Sequence, residues 1–146
     1  MQGGRAVAII PVFIPHAGCP HQCVFCNQKT ISGQQTASSR DVEQQLERYL
    51  QWIKPGPFNE AAFYGGSFTG LPADLQTELF RPVDKLLAEG VIGSVRLSTR
   101  PDYIDAARLE LLQAHGVKTV ELGVQSLDDN VLAAAERGHQ ATDVYK

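Results

Sequence analysis

The chain has 146 residues, 43% of them hydrophobic and 20% charged, the size and balance of one soluble globular domain with its own core. A formal net charge of −3 and a pI near 5.8 exclude a protein that grips nucleic acid through an overall basic field. Three cysteines cannot all pair, and their intervals of three and two residues would close very small rings, so no disulfide framework is expected and a reducing cytoplasm is the expected compartment.

Taken in chain order, residues 6–13, AVAIIPVF, are a short β-branched run suited to a strand buried on both faces. With Arg5 before it and HAGC after it, the run loosely imitates a lipoprotein leader ending at Cys19. Pro11, Pro15 and His16 interrupt the apolar stretch that such a leader requires. No segment approaches the ~20 apolar residues of a membrane span, and no membrane partner is expected. Next comes GCPHQCVFCNQ, residues 18–28, which holds every cysteine of the chain. Ser38 and Ser39 are candidate caps for a helix beginning near Arg40, with Asp41 and Glu43 in its first turn. Val42, Leu46, Tyr49, Leu50 and Ile53 form its apolar stripe, and KPGP stops it.

The same cycle then repeats. AAFYGG is a strand running into glycines, and residues 71–90 are helical, with Pro72 near the first turn, Gly90 past the end, and Pro82 expected to kink or divide the helix. Residues 94–97 form a third strand, TRPD a turn, and residues 103–115 a third helix ended by Gly116. VKTVELGV is a fourth strand, and LDDNVLAAAERG a fourth helix closed by Gly138.

Strands alternating with helices predict an α/β fold with parallel pairing through right-handed crossovers, in an open sheet or a barrel. Chemistry in such folds collects at the carboxyl ends of the strands. The segments there are the cysteine loop, GGSFTG, STRPD and GVQSLDD, the most polar and glycine-rich stretches of the chain. One rim is therefore expected to carry the function. Thr142 and Asp143 read as the start of another helix, and four βα units leave a parallel sheet with open edges. The chain thus reads as the N-terminal part of a longer protein; a small open α/β domain is the alternative.

Cys19, Cys23 and Cys26 follow the spacing C-x3-C-x2-C. Thiolates are soft ligands that select zinc, copper(I) or iron–sulfur clusters. With His16 or His21 as a fourth ligand, the trio could close a tetrahedral zinc site. On a [4Fe–4S] cubane, three cysteines leave one iron with an open position, where a substrate or cofactor can bind.

The trio, with Phe25 just before its last cysteine, resembles the signature of the radical S-adenosylmethionine (radical SAM) superfamily. That resemblance implies a full or partial TIM-like (βα) barrel, with residues 1–146 as a core domain incomplete at its C-terminus. It implies a [4Fe–4S] cluster on Cys19, Cys23 and Cys26, and S-adenosyl-L-methionine cleaved reductively to a 5′-deoxyadenosyl radical. An electron donor is then a required partner, and Phe25 belongs to the cofactor site. YGGSFTG is similar to the family's glycine pair, which implies that Gly65, Gly66 and Ser67 meet the methionine end of the cofactor. Gln125 in ELGVQS is implied near the ribose, and Arg137 in ERGH near the carboxylate, which an arginine fork suits. Several relatives carry a glutamate at the end of the third strand where this chain has Ser98; Thr99 and Arg100 could take over, or Arg100 could be buried against Asp102.

GGSF, TRPDY, ELGVQS and RGH together most resemble the branch of the elongator catalytic subunit and the oxygen-independent coproporphyrinogen oxidases. Members of that branch act on unrelated substrates, so the resemblance names no substrate and no catalytic residue. Nucleic acid is expected as a partner only through regions downstream of this chain. The competing reading is a zinc- or iron–sulfur-binding module without catalysis.

Overall fold

The computed structural model describes residues 7–15 and 37–146. Four strands, β1 (Ile9–Phe13), β2 (Glu60–Tyr64), β3 (Ser94–Thr99) and β4 (Val117–Leu122), alternate with four helices, α1 (Ser39–Leu50), α2 (Ala73–Ala88), α3 (Ala106–Ala114) and α4 (Asp129–Ala134). The strands pair in parallel, in the order β1-β2-β3-β4. Because a right-handed crossover to the adjacent strand always returns over the same face, sequential order places the connecting helices on one side of the sheet. The alternative of an open sheet with helices on both faces requires the order to reverse, and it does not. This is the arc of a barrel wall.

The two faces differ accordingly. Ile10 and Val12 of β1, Ala61 and Phe63 of β2, and Val95 and Leu97 of β3 are buried with Val42 and Leu46 of α1 and Leu79, Phe80, Val83 and Leu86 of α2. Phe63, Phe68 and Phe80 form an aromatic cluster with centroids 4.8–5.6 Å apart, a separation at which offset and edge contacts are attractive. The opposite face carries Glu60, Arg96, Ser98, Thr119 and Glu121, placed together by the register.

The local chemistry explains most boundaries. Ser38 caps α1, accepting from the Asp41 amide at 3.3 Å while the Asp41 carboxylate accepts from the Ser38 amide at 3.0 Å; such a reciprocal cap stabilises a helix by about 1 kcal/mol. Tyr49, expected on the apolar stripe, is 40% exposed, since the stripe is already filled by Val42, Leu46, Leu50 and Ile53. Pro82 does not divide α2, which runs unbroken across it. The third helix begins at Ala106, not at residue 103, because Asp105 holds extended backbone and caps the Arg108 amide at 2.8 Å. The fourth ends at Ala134, with Glu136 in the left-handed region (φ 52°) and the Arg137 amide donating back to Leu132 at 3.0 Å. That pattern closes a helix in the way usually seen with glycine, and it turns Arg137 out of the helix. Residues 141–145 make a short 3-10 turn instead of an α-helix.

The loops at the amino ends of the strands are closely packed. A Cβ at Gly93 would lie 1.8 Å from the Pro57 carbonyl oxygen, whereas one at Gly56 would meet nothing within 4 Å. Gly93→Ala should therefore destabilise the domain by about 1–3 kcal/mol, and Gly56→Ala by much less, when the two variants are compared by urea denaturation.

Candidate functional site

The carboxyl ends of β2, β3 and β4 converge on a cleft of about 310 Å³, at the small end of the ~300–1,000 Å³ common for small-molecule sites. From β2 it receives Gly65, Gly66 and Ser67; from β3, Ser98, Thr99 and Arg100; from β4, Glu121, Leu122 and Gly123. Arg137, beyond α4, completes the lining. Six of these residues come from the GGSFTG and STRPD segments.

β1 ends at the same rim. The Gln45 side chain donates to the Phe13 carbonyl at 2.9 Å and accepts from the Phe13 amide at 2.8 Å, acting as a one-residue strand partner on the edge of β1. The Ile14 amide donates to Tyr64 at 2.8 Å. Gly65 has φ 109°, and a Cβ there would fall 2.4 Å from the Ile14 carbonyl oxygen. The need for glycine at position 65 is thus internal: it lets the chain leaving β1 pass against the β2 loop. Cys19, Cys23, Cys26 and Phe25, with His16 and His21, lie outside the described residues.

Behind the lining is a buried polar frame. Phe68 and Thr69 are fully buried, Phe68 in the aromatic cluster and Thr69 with its hydroxyl 2.5 Å from that of Thr99. The Thr69 carbonyl accepts from Arg108 at 3.0 Å, and the Leu71 carbonyl accepts from buried Gln76 at 2.8 Å. The glycine loop is therefore tied at both the core and the next strand. Buried backbone groups cost stability unless partnered, so these contacts hold the loop in one conformation.

Arg100 is 2% exposed and grips Asp102 with two nitrogens, at 3.0 and 3.2 Å. This is the burial against Asp102 weighed from the sequence. Its guanidinium also donates to the Arg137 carbonyl, and its plane lies 5.7 Å from the Tyr103 ring centroid. Arg137 is likewise buried and donates to the Gly123 carbonyl, while the Gly123 amide donates to Thr99 at 2.9 Å. One continuous set of hydrogen bonds thus joins the β3 loop, the β4 loop and the segment after α4. His139, buried beside them, has its pKa lowered, first by burial and then by the Arg137 and Arg100 cations, each of which disfavours its charged form.

The expected residues are partly brought together. Gly65, Gly66, Ser67 and Arg137 share the cleft, as does Ser98. Gln125 is exposed, has φ 68°, and does not line the cleft. Thr99 and Arg100, the alternatives to Ser98 for the third-strand contact, also line it, whereas Glu121, Leu122 and Gly123 line it without having been expected there. Their signal was present in ELGVQS, but only the register shows which of its side chains face the rim.

Residues 13–146 match the family described as the Radical SAM superfamily. The chain belongs to that superfamily. It is 28% identical over 149 residues to an uncharacterized protein of Methanocaldococcus jannaschii, covering 94% of this chain and 45% of that protein. Its fold is similar to that of Methanocaldococcus infernus Elp3 lacking its N-terminus, at a TM-score of 0.62 and 19% identity over 94% of this chain and 33% of the other. It is also similar to coproporphyrinogen III oxidase from Escherichia coli, a radical SAM enzyme, at 0.60 and 22% identity over 97% of this chain and 33% of the other. These two structures represent the branch that the motifs resemble, and their likeness to this chain is one of fold. The chain spans less than half the length of each of these proteins. Among the described residues no helix is long and apolar enough to cross a membrane.

The rim's rigidity should rest on Arg100. Arg100→Met leaves a largely buried Asp102 carboxylate and the Arg137 carbonyl without this donor, and should cost about 3–5 kcal/mol by urea denaturation.

Proposed function

We propose that residues 1–146 are the first part of the core domain of a radical SAM enzyme. Cys19, Cys23 and Cys26 hold a [4Fe–4S] cluster beside the cleft, and the cleft binds S-adenosyl-L-methionine. The observation that carries this reading is the convergence of the β2, β3 and β4 loops on one polar cleft at the rim where β1 also ends. A structural metal knuckle would not need such a cleft.

The residues present fit both groups. Three thiolates and no fourth cysteine suit a cluster with one open iron. The cleft offers main chain at Gly65 and Gly66, the Ser67 hydroxyl, a guanidinium at Arg137 and a carboxylate at Glu121, a set suited to a zwitterionic amino acid joined to a nucleoside. When bound and reduced, the cluster would supply one electron for cleavage of S-adenosylmethionine to methionine and a 5′-deoxyadenosyl radical. The protein's part is to orient and enclose. Arg137, fixed by its bond to Gly123, would bind the carboxylate; Gly66 and Ser67 would receive the amino group; Gln125 would reach the ribose from the edge of the cleft, and Phe25 would flank the site from the cysteine loop. Pre-fixed donors lose little entropy on binding, which favours a single reactive pose. The compartment proposed is the cytoplasm, with a reducing electron donor as partner; the substrate of the radical belongs to the whole protein and is not assigned.

Anaerobic reconstitution should give about four irons and four sulfides per chain, with Cys→Ala at any of the three positions abolishing the cluster and His21→Ala leaving it intact. The reconstituted chain should bind S-adenosylmethionine, and Gly66→Val should block that binding by placing a side chain where backbone must approach. One tightly held zinc per chain, with no iron uptake, would favour the non-catalytic metal module instead.

A further inference from the structure

The register between β3 and β4 is interrupted. Val95 pairs with Val117, but Arg96 pairs with Thr119, so Lys118 is an extra residue in β4. A one-residue slip exchanges the faces of every side chain beyond it. Without the bulge Arg96 and Ser98 would stand beside Lys118 and Val120; with it they stand beside Thr119 and Glu121. The bulge aims Glu121 onto the face away from the helices and into the cleft.

The carboxylate is braced there. One oxygen accepts from Arg96 at 2.9 Å and the other from Ser98 at 3.2 Å. Each carboxylate oxygen can accept twice, so both keep acceptor capacity, and the Glu121 side chain is 42% exposed. Arg96 is also bound to Glu60 at 3.0 Å. Two carboxylates therefore share one guanidinium, and the trio keeps a formal charge of −1. At the same rim Arg100 is matched by Asp102, and Arg137 stands on the cleft lining with Glu121.

We infer that Glu121 is a specificity-determining residue: it gives the cleft a preference for a ligand bearing positive charge between its carboxylate and its nucleoside. Resting on the cofactor reading above, this assigns Glu121 to the sulfonium of S-adenosylmethionine and makes the neutral thioether product, S-adenosylhomocysteine, the disfavoured ligand. A cleft carboxylate stabilises a nearby cation more than it would in bulk water, because the wall behind it is protein. Arg96 acts as a positioning residue, and Glu60 supplies the second charge without lining the cleft.

The test compares the affinities of the reconstituted chain for S-adenosylmethionine and S-adenosylhomocysteine by titration calorimetry. Glu121→Gln keeps the shape of the side chain and a hydrogen-bonding partner for Ser98. It should weaken S-adenosylmethionine by about tenfold while leaving S-adenosylhomocysteine within about twofold. Glu60→Gln, which neutralises the trio from outside the cleft, should lower the same preference by about two- to threefold. An equal loss for both ligands in Glu121→Gln, or no change in the preference in either variant, overturns the assignment and leaves the cleft standing. A wild-type chain that binds neither ligand overturns the cofactor reading, and this inference with it.

Discussion

Each strand of this sheet pairs in parallel with its immediate neighbour in sequence, a connection that polypeptide chains make right-handed, and the rest of the molecule follows from that constraint. The helices are placed on one face, where Ile10, Phe63, Leu97 and their partners make the core. All strands point the same way, so every loop that follows a strand reaches the same rim. Among the described residues, three loops far apart in sequence are thereby gathered at the rim where β1 also ends. The face without helices is left to polar side chains, and Glu60, Arg96, Ser98 and Glu121 bond to one another across three strands.

Gathering loops is not the same as fixing them, and the structure fixes them with buried polar groups. Thr69 against Thr99, Arg108 on the Thr69 carbonyl and Arg100 between Asp102 and Arg137 tie each loop to the next. Such networks stabilise only when their members are satisfied together. Their role here is positional: the groups that line the cleft sit on backbone tied by these contacts to the neighbouring loop. Gly65 adds a steric requirement of the same kind, since any side chain there would strike the backbone leaving β1.

Much of this was legible in the sequence, for identifiable reasons. The alternation of strands and helices, most helix faces and the location of the rim follow from apolar periodicity, caps and glycines, which are local signals, whereas the spatial order of the strands left an open sheet or a barrel as alternatives. The C-x3-C-x2-C trio, GGSF and ELGVQS were enough to indicate the family. What failed was set by competition or by register. Asp105 and Glu136 moved two helix boundaries because cap geometry overrode the expected start at residue 103 and stop at Gly138. Pro82 was accommodated inside a helix whose other face is firmly buried. Glu121 was invisible as a cleft residue because its direction depends on the extra residue at Lys118, and a bulge leaves no mark in composition. Gln125, expected from a motif, is exposed and does not line the cleft, so its part toward a ligand stays a proposal.

The central claim is that the cysteine loop and the cleft form one site, with the cluster's open iron facing the bound cofactor. Electron paramagnetic resonance of the reconstituted, dithionite-reduced chain tests it directly, because the spectrum of a reduced cluster responds to a ligand at its open iron. Addition of S-adenosylmethionine should shift the cluster signal, and the shift should be lost in Gly66→Val while the signal itself remains. A cluster spectrum indifferent to S-adenosylmethionine, in a chain that nonetheless binds it, would show that the cleft and the cluster are separate sites.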